Sequence, residues 1–208
     1  YSAPSGSYSQ GRLFVADTSN STIRQIDVAT GATTTLAGAA GVAGSLNSSD
    51  GTGATARFNY PQGISYSEPS GVYIQGRLFV ADTDNHTMRQ IDVATGLVST
   101  LAGSGNSTGS NDGTGAEARF RYPQGISYSA PSGAYAQGRL FVADTYNNTI
   151  RQVDVATAAV STLAGSASNG GSANGTGAAA RFIAPEGIST SAPSGVYTQG
   201  RLFVASTG

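Results

Sequence analysis

Apolar residues in this chain arrive in short runs at fixed phase, separated by stretches of Gly, Ser, Thr and Asn. The most regular run is Gly-Arg-Leu-Phe-Val-Ala-Asp-Thr, at residues 11–18, 76–83 and 138–145. A fourth copy, at 200–207, carries Ser206 where the others have Asp17, Asp82 and Asp144. The Arg-Leu-Phe-Val-Ala centre is too apolar for a strand with one wet face, so it predicts a strand covered on both sides. Self-similarity at this spacing predicts a repeat architecture in a single array. The repeats run 1–65, 66–127 and 128–189, with a partial fourth over 190–208.

The second repeat shows the order of elements. Residues 66–75 hold Pro69 and Gly71 among turn formers and read as a loop. Arg77 to Ala81 is the doubly covered strand. Asp82-Thr-Asp-Asn85 is a tight connection, because Asp and Asn bond to their own backbone and tolerate positive φ. Thr87 to Val93 and Leu97 to Leu101 are two further strands across the turn Ala94-Thr-Gly96. A polar loop follows, then one helical turn within Ala116 to Phe120, then a short strand opened by Tyr122-Pro-Gln-Gly-Ile126. Four short strands per repeat, joined by short loops, predict an antiparallel meander, which is the blade of a β-propeller. No long stretch of helical periodicity is present, which sets helical solenoids aside.

These residues resemble the NHL repeat. Phe79-Val-Ala-Asp-Thr-Asp-Asn-His-Thr-Met-Arg-Gln-Ile-Asp is similar to the core of that repeat. Leu101-Ala-Gly, Asp112-Gly-Thr-Gly-Ala, Ala118-Arg-Phe and Pro123-Gln-Gly-Ile are similar to its flanks in secreted and cell-surface members. All three repeats carry the elements in constant order. The resemblance implies a propeller, most often six-bladed, that serves as an interaction platform. Two departures stand out. The Tyr-Ser-x-Pro-Ser-Gly-x-Tyr-x-Gln insertion lengthens the turn between the first two strands. Thr22, Thr87 and Thr149 stand where the family often has a basic residue. The expected fold class is therefore all-β: a propeller segment of four-stranded antiparallel blades, about three blades' worth, completed by further chain or another copy.

Charge narrows the picture. Net charge is −1, there is no Lys, and charged residues make up 11%. That leaves no basic footprint for nucleic acid and no polybasic patch for a membrane surface. No apolar run approaches the roughly 18 residues that span a bilayer as a helix. There are no cysteines, which removes disulfides and thiolate metal sites. The first residue is Tyr1, and the sequence reads as a mature or excised piece of something larger.

Six Asn-x-Ser/Thr sequons are present. Asn20, Asn85 and Asn147 share one phase of the repeat. Asn47, Asn106 and Asn174 lie in the loop after Leu-Ala-Gly at differing offsets. They are candidate N-glycosylation sites and point to a secretory-route, extracellular or cell-surface protein carrying N-linked glycans. Gly51-Thr-Gly53 and its copies lack the Lys and long helix of a phosphate loop, so they read as tight turns. Asp50 and Asp112 suggest a calcium ligand, but Asn174 breaks the series, and no metal or cofactor is expected. The lone His86 is expected on a solvent-facing turn. With neither Cys nor paired carboxylates at one phase, no catalytic residue is assigned. Arg24, Arg89 and Arg151 share one phase with Asp27, Asp92 and Asp154 on the same strand. The pattern fits structural pairing with carboxylates or loop carbonyls, or a ligand-binding ring. Tyr8, Tyr73, Tyr135 and Tyr197, on the insertion, are candidate assembly contacts.

Three function classes follow. The first is a non-enzymatic extracellular structural or interaction module, glycosylated, within a larger surface assembly or filament and partnered by itself or by further repeats. The second is a ligand-binding or sensor propeller that recognises a peptide or carbohydrate. The third is a propeller lyase or hydrolase. Near-identical repeats favour the first, because each copy can make the same contact.

Overall fold

A computed structural model describes residues 1–4, 6, 8–42, 49–105, 107–167, 169–191 and 200–207. In chain order the strands are β1 (Arg12–Asp17), β2 (Thr22–Asp27), β3 (Thr33–Gly38), β4 (Gly51–Thr52) and β5 (Pro61–Ser67). They continue with β6 (Arg77–Asp82), β7 (Thr87–Asp92), β8 (Leu97–Gly103), β9 (Gly113–Thr114) and β10 (Pro123–Ser129). The last five are β11 (Arg139–Asp144), β12 (Thr149–Asp154), β13 (Ala159–Gly165), β14 (Pro185–Ser191) and β15 (Arg201–Ser206). The only helices among the described residues are single 3-10 turns, including Thr83–Asn85 and Gly115–Glu117 at the two places the sequence suggested a turn.

Four antiparallel sheets result. The first holds β1, β2 and β3, and the last holds β14 and β15. The two middle sheets are complete blades, β5-β6-β7-β8 and β10-β11-β12-β13. Each gains a fifth strand on its outer edge. β4 pairs with β8 through Gly51 opposite Val98, and β9 pairs with β13 through Gly113 opposite Val160. The sequence did not suggest these two-residue strands. Each arises from the loop that precedes its blade, so it closes the outer edge of the sheet that follows.

The doubly apolar motif works as its pattern requires. On β6, Leu78 and Val80 enter a core with Phe14, Ile23 and Phe58, while Phe79 and Ala81 enter another with Phe120, Leu140 and Val142. Successive side chains of one strand thus fill the two seams on either side of the blade. On β1 only one face is covered. Phe14 is 9% exposed, whereas Leu13 and Val15 are 44% and 39% exposed.

The first strands of successive blades lie close together. A Cβ added at Gly63 would sit 2.1 Å from the Gln124 carbonyl oxygen, and one at Gly125 would sit 2.1 Å from that of Glu186. Glycine is needed there for clearance rather than for an unusual φ. Ser65 Oγ accepts from the Tyr128 amide at 2.9 Å, and Ser127 Oγ accepts from the Thr190 amide at 3.2 Å. Thr83 and Thr145 donate to the Pro123 and Pro185 carbonyls at 2.8 and 2.7 Å, which fixes where the next blade begins. Pro61 and Pro123 open β5 and β10 at a register shift, a position where a missing N–H leaves no ladder bond unmade.

Candidate functional site

The polar groups of the repeat converge on the seams. In the second blade Arg89 is fully buried between two carboxylates, Asp82 at 2.9 Å and Asp50 at 2.7 Å. Its guanidinium also donates to the Arg57 and Ser49 carbonyls, at 3.0 and 3.2 Å. The third blade repeats the arrangement: Arg151 meets Asp144 at 2.9 Å, Asp112 at 2.8 Å and the Arg119 and Asn111 carbonyls. The two terminal nitrogens of a planar guanidinium suit such a junction, and a charge that meets two carboxylates can stay buried. Burial raises the Asp82 carboxyl above its ordinary range and pushes Asp144 up to about 6, against the pull of their Arg and Asn donors.

The structural reading of the arginines holds, with other partners than the sequence suggested. Asp27, Asp92 and Asp154 each accept two amides of the turn that follows, as at Asp92 Oδ1 from Ala94 and Thr95. The carboxylates that meet the arginines sit one strand earlier and in the preceding loop. Asp50 and Asp112 are thereby committed, and each also accepts from a threonine, Thr100 or Thr162. Among the described residues no group of three His, Cys, Asp or Glu is placed to hold a metal ion.

His86 differs from expectation. It is 6% exposed, holds φ 57°, and accepts the Tyr122 amide on Nδ1 at 3.2 Å. Its ring meets Tyr122 edge-on at 4.6 Å. Asn148 takes the same place one repeat on, its Oδ1 accepting from the Ala184 amide at 3.0 Å. Burial lowers the His86 pKa, which keeps the ring neutral and able to accept.

The sequons divide sharply. Asn85 is 0% exposed with Nδ2 donating to Asp82, and Asn147 is 5% exposed with Nδ2 donating to Asp144 and to the Gly109 carbonyl. Their threonines, Thr87 and Thr149, are buried as well. A glycan on either amide would displace the blade's ion cluster, so these two expectations are corrected. The motif there serves the 3-10 turn instead. Asn20 is exposed, although its amide also donates to Asp17, and Asn174 is exposed. Asn47, Asn106 and Tyr197 lie outside the described residues.

The insertion folds back on its own blade, with Ser70 bridged to Tyr73 and Ser132 to Tyr135. Tyr8, Tyr73 and Tyr135 are half-buried, each ring stacked over an arginine guanidinium (Arg12, Arg77, Arg139) at 4.4, 4.3 and 4.7 Å. Val72 and Ile74 stand out beside Tyr73, at 81% and 73% exposure.

No protein-family model matches the chain. It is 33% identical over 154 residues to NHL repeat-containing protein 2 of Bos taurus, covering 72% of this chain and 20% of that protein. The human protein of the same name is 31% identical over 156 residues. Protein SUPPRESSOR OF QUENCHING 1, chloroplastic, of Arabidopsis thaliana is 32% identical over 146 residues, 68% of this chain and 13% of that protein. The chain thus spans a fifth or less of the curated relatives it matches. Among solved structures, an auxiliary nutrient binding protein of Bacteroides thetaiotaomicron superposes with a TM-score of 0.64 at 20% identity, over 93% of this chain and 42% of that one. A likeness at that identity speaks for the fold.

Proposed function

The chain belongs to the NHL-repeat β-propeller family, and on that premise we propose that it is a non-enzymatic extracellular interaction module within a larger surface assembly. One observation carries the reading: the polar groups that repeat from blade to blade are spent on the seams. Asp50, Asp82, Asp112 and Asp144 all face buried arginines, and His86 accepts a backbone amide. Groups held this way fix geometry and are not poised to move protons. What the blades present outward is the insertion, with exposed Val72 and Ile74 beside Tyr73. Exposed apolar side chains next to a half-buried tyrosine form the kind of patch that gains from a partner. Contact through this loop, between copies or with further repeats, is the proposed mode of assembly. The half-covered sheet of β1 is the place where a further blade would pack. Glycans at Asn20 and Asn174, both exposed, fit a secretory route.

Two measurements on native material test this. Intact mass should exceed the peptide mass by the heterogeneous increments of N-linked glycans, and a sharp peptide mass would count against the extracellular assignment. Replacing Tyr73 and Tyr135 with Ser should lower the particle mass in light scattering while circular dichroism stays unchanged. An unchanged particle mass would remove the loop from the assembly.

A binding propeller is the second reading. It is favoured by a cleft lined by Phe141, Gln152 and Arg201 that could admit a ligand.

A further inference from the structure

Three departures from the repeat meet at one place, between the two complete blades. Ten of the eleven arginines fall in three repeating registers, those of Arg12, Arg24 and Arg57, and Arg121 alone has no copy. Asn59 and Ile183 hold its place in the other repeats. Tyr146 stands where Ser19 and Asp84 do, and His86 where Ser21 and Asn148 do. In the fold these side chains form a row. His86 meets Tyr122 edge-on at 4.6 Å, and Tyr122 meets Tyr146 at 4.8 Å with the rings tilted by 50°. The Arg121 guanidinium lies 6.0 Å from the centre of the Tyr146 ring.

The backbone that carries the row is common to the repeats. Arg121 donates its amide to Asp144 Oδ1 at 2.8 Å, and its carbonyl accepts the Tyr146 amide at 3.1 Å. Asn59 makes the same two bonds with Asp82 and Asp84, at 2.7 and 3.1 Å. The fold therefore needs neither the guanidinium nor the phenol at these positions. The repeating arginines are committed to carboxylates, to carbonyls of their own turns or to aromatic rings, as at Arg89, Arg57 and Arg77. Arg121 is exposed, and among the described residues no carboxylate is paired with it. Tyr146 is 56% exposed.

We propose that this row is a docking site for an acidic peptide segment, with an Asp or Glu carboxylate on Arg121 and a neighbouring apolar side chain over Tyr146. Tyr and Arg are enriched among the residues that anchor interfaces, because each joins a large contact area to directed donors. A guanidinium takes a carboxylate through two parallel hydrogen bonds, which sets an acid apart from other anions of equal charge. The ring contacts that run from His86 through Tyr122 restrain Tyr146 beforehand, so less freedom is lost on binding. Charge also reaches His86 from Asp84 on the preceding turn, which places the acid over Arg121 and away from the His86 edge. Because the tyrosine rings are tilted by 50°, they share no flat face on which a sugar could stack across both. The row lies past the Asp82 and Asp144 ends of β6 and β11, whereas the insertions precede Arg77 and Arg139 at the opposite ends. Failure here leaves the assembly reading untouched, and the reverse.

The probe is the blocked peptide acetyl-Glu-Phe-Glu-Phe-Glu-amide, titrated into the full chain at low salt and followed by nuclear magnetic resonance shifts. Saturable binding that moves the Tyr146 ring signals is expected, and added salt should weaken it. The copy with Gln in place of each Glu should bind about tenfold more weakly or less, since it offers Arg121 no carboxylate. Arg121→Asn and Tyr146→Ser should each weaken binding by about tenfold or more. Both variants introduce residues that the same register already carries, at Asn59 and Ser19, so circular dichroism should stay unchanged. The Tyr73 and Tyr135 double variant should bind the peptide as the parent does. Absence of saturable binding to the unaltered chain would overturn the proposal. So would equal binding of the Gln peptide, undiminished binding by either folded variant, or binding of cellohexaose at Tyr146 in place of the peptide.

Discussion

Arg24 and Arg89 occupy the same register of the same strand type, yet their surroundings differ. Arg24 reaches one carboxylate, Asp17, at 3.3 Å, and 31% of its side chain stays exposed. Arg89 reaches two carboxylates and two carbonyls and is fully buried. The difference is the loop that precedes the blade. For Arg89 that loop supplies Asp50, the Ser49 carbonyl and the edge strand β4. A blade in this chain is therefore finished by the repeat before it. Neighbouring repeats are locked together by an ion cluster and a strand at the outer edge, in addition to the apolar seam. Stability in such an array is carried by interfaces as much as by single blades.

Breaking the cluster at both arginines gives the largest contrast. Arg89→Met strands Asp82 in an apolar interior, and a loss of about 3–5 kcal/mol is expected from an uncompensated buried charge. Arg24→Met removes a half-exposed pair and should cost about 0–1 kcal/mol. Urea unfolding of the two variants measures both. Equal losses would mean that the preceding loop contributes nothing to the cluster.

Gly125 and Gly187 form a second contrast at the other end of the blade. An added Cβ at Gly125 collides with the Glu186 carbonyl at 2.1 Å, whereas at Gly187 the nearest atom is Ala205 Cβ at 3.4 Å. Gly125→Ala should cost about 1–3 kcal/mol, as overpacking does, while Gly187→Ala should fall within about 0.5 kcal/mol of the parent. Thermal melts decide between them.

His86 and Asn148 give the smallest effect and the sharpest sign. Both accept an amide from the following blade, but only His86 titrates. Its folded pKa is lowered, so below the unfolded value of about 6.5 the unfolded chain binds the extra proton and stability falls with pH. The contribution is fully present above that pH. Relative to the parent, His86→Asn should gain stability as pH drops below about 6.5. Taking the difference between the two proteins removes the opposite trend of Asp82 and Asp144, whose raised pKa values favour the fold at lower pH. A difference that stays constant with pH would mean that burial does not hold the folded His86 ring neutral.

Much of this fold is legible in the sequence, for a physical reason. A five-residue motif apolar on both faces has to lie between two sheets, and its recurrence sets the blades. Turn formers mark the connections between β6, β7 and β8. The sites were less legible. Pairing Arg89 with Asp92 follows chain proximity, but alternation sends Asp92 to its own turn while Asp82 and Asp50 arrive from other strands. A signal was present. Asn174 replaces Asp50 and Asp112, and Ser206 replaces Asp82 and Asp144, so both acids change together in the last copy. Ser206 keeps only the bond to the Ile183 amide that Asp82 makes to Asn59 and Asp144 makes to Arg121. The sequons misled because Asn and Thr are also the residues that a 3-10 turn and a buried strand end use, and the pattern cannot tell a buried amide from a wet one.

The interlocking of repeats is tested most directly by amide hydrogen exchange at three equivalent glycines. Gly53 and Gly115 donate to the Gly96 and Ala158 carbonyls of the following blade, each at 3.0 Å. Gly177 holds the same place in the last loop, where no strand pairs with residues 175–176 among the described residues. The Gly53 and Gly115 amides should exchange slowly, at rates that track unfolding of the array, while Gly177 exchanges near the rate of a free chain. Equal, fast exchange at all three would contradict the claim that each loop completes the next blade.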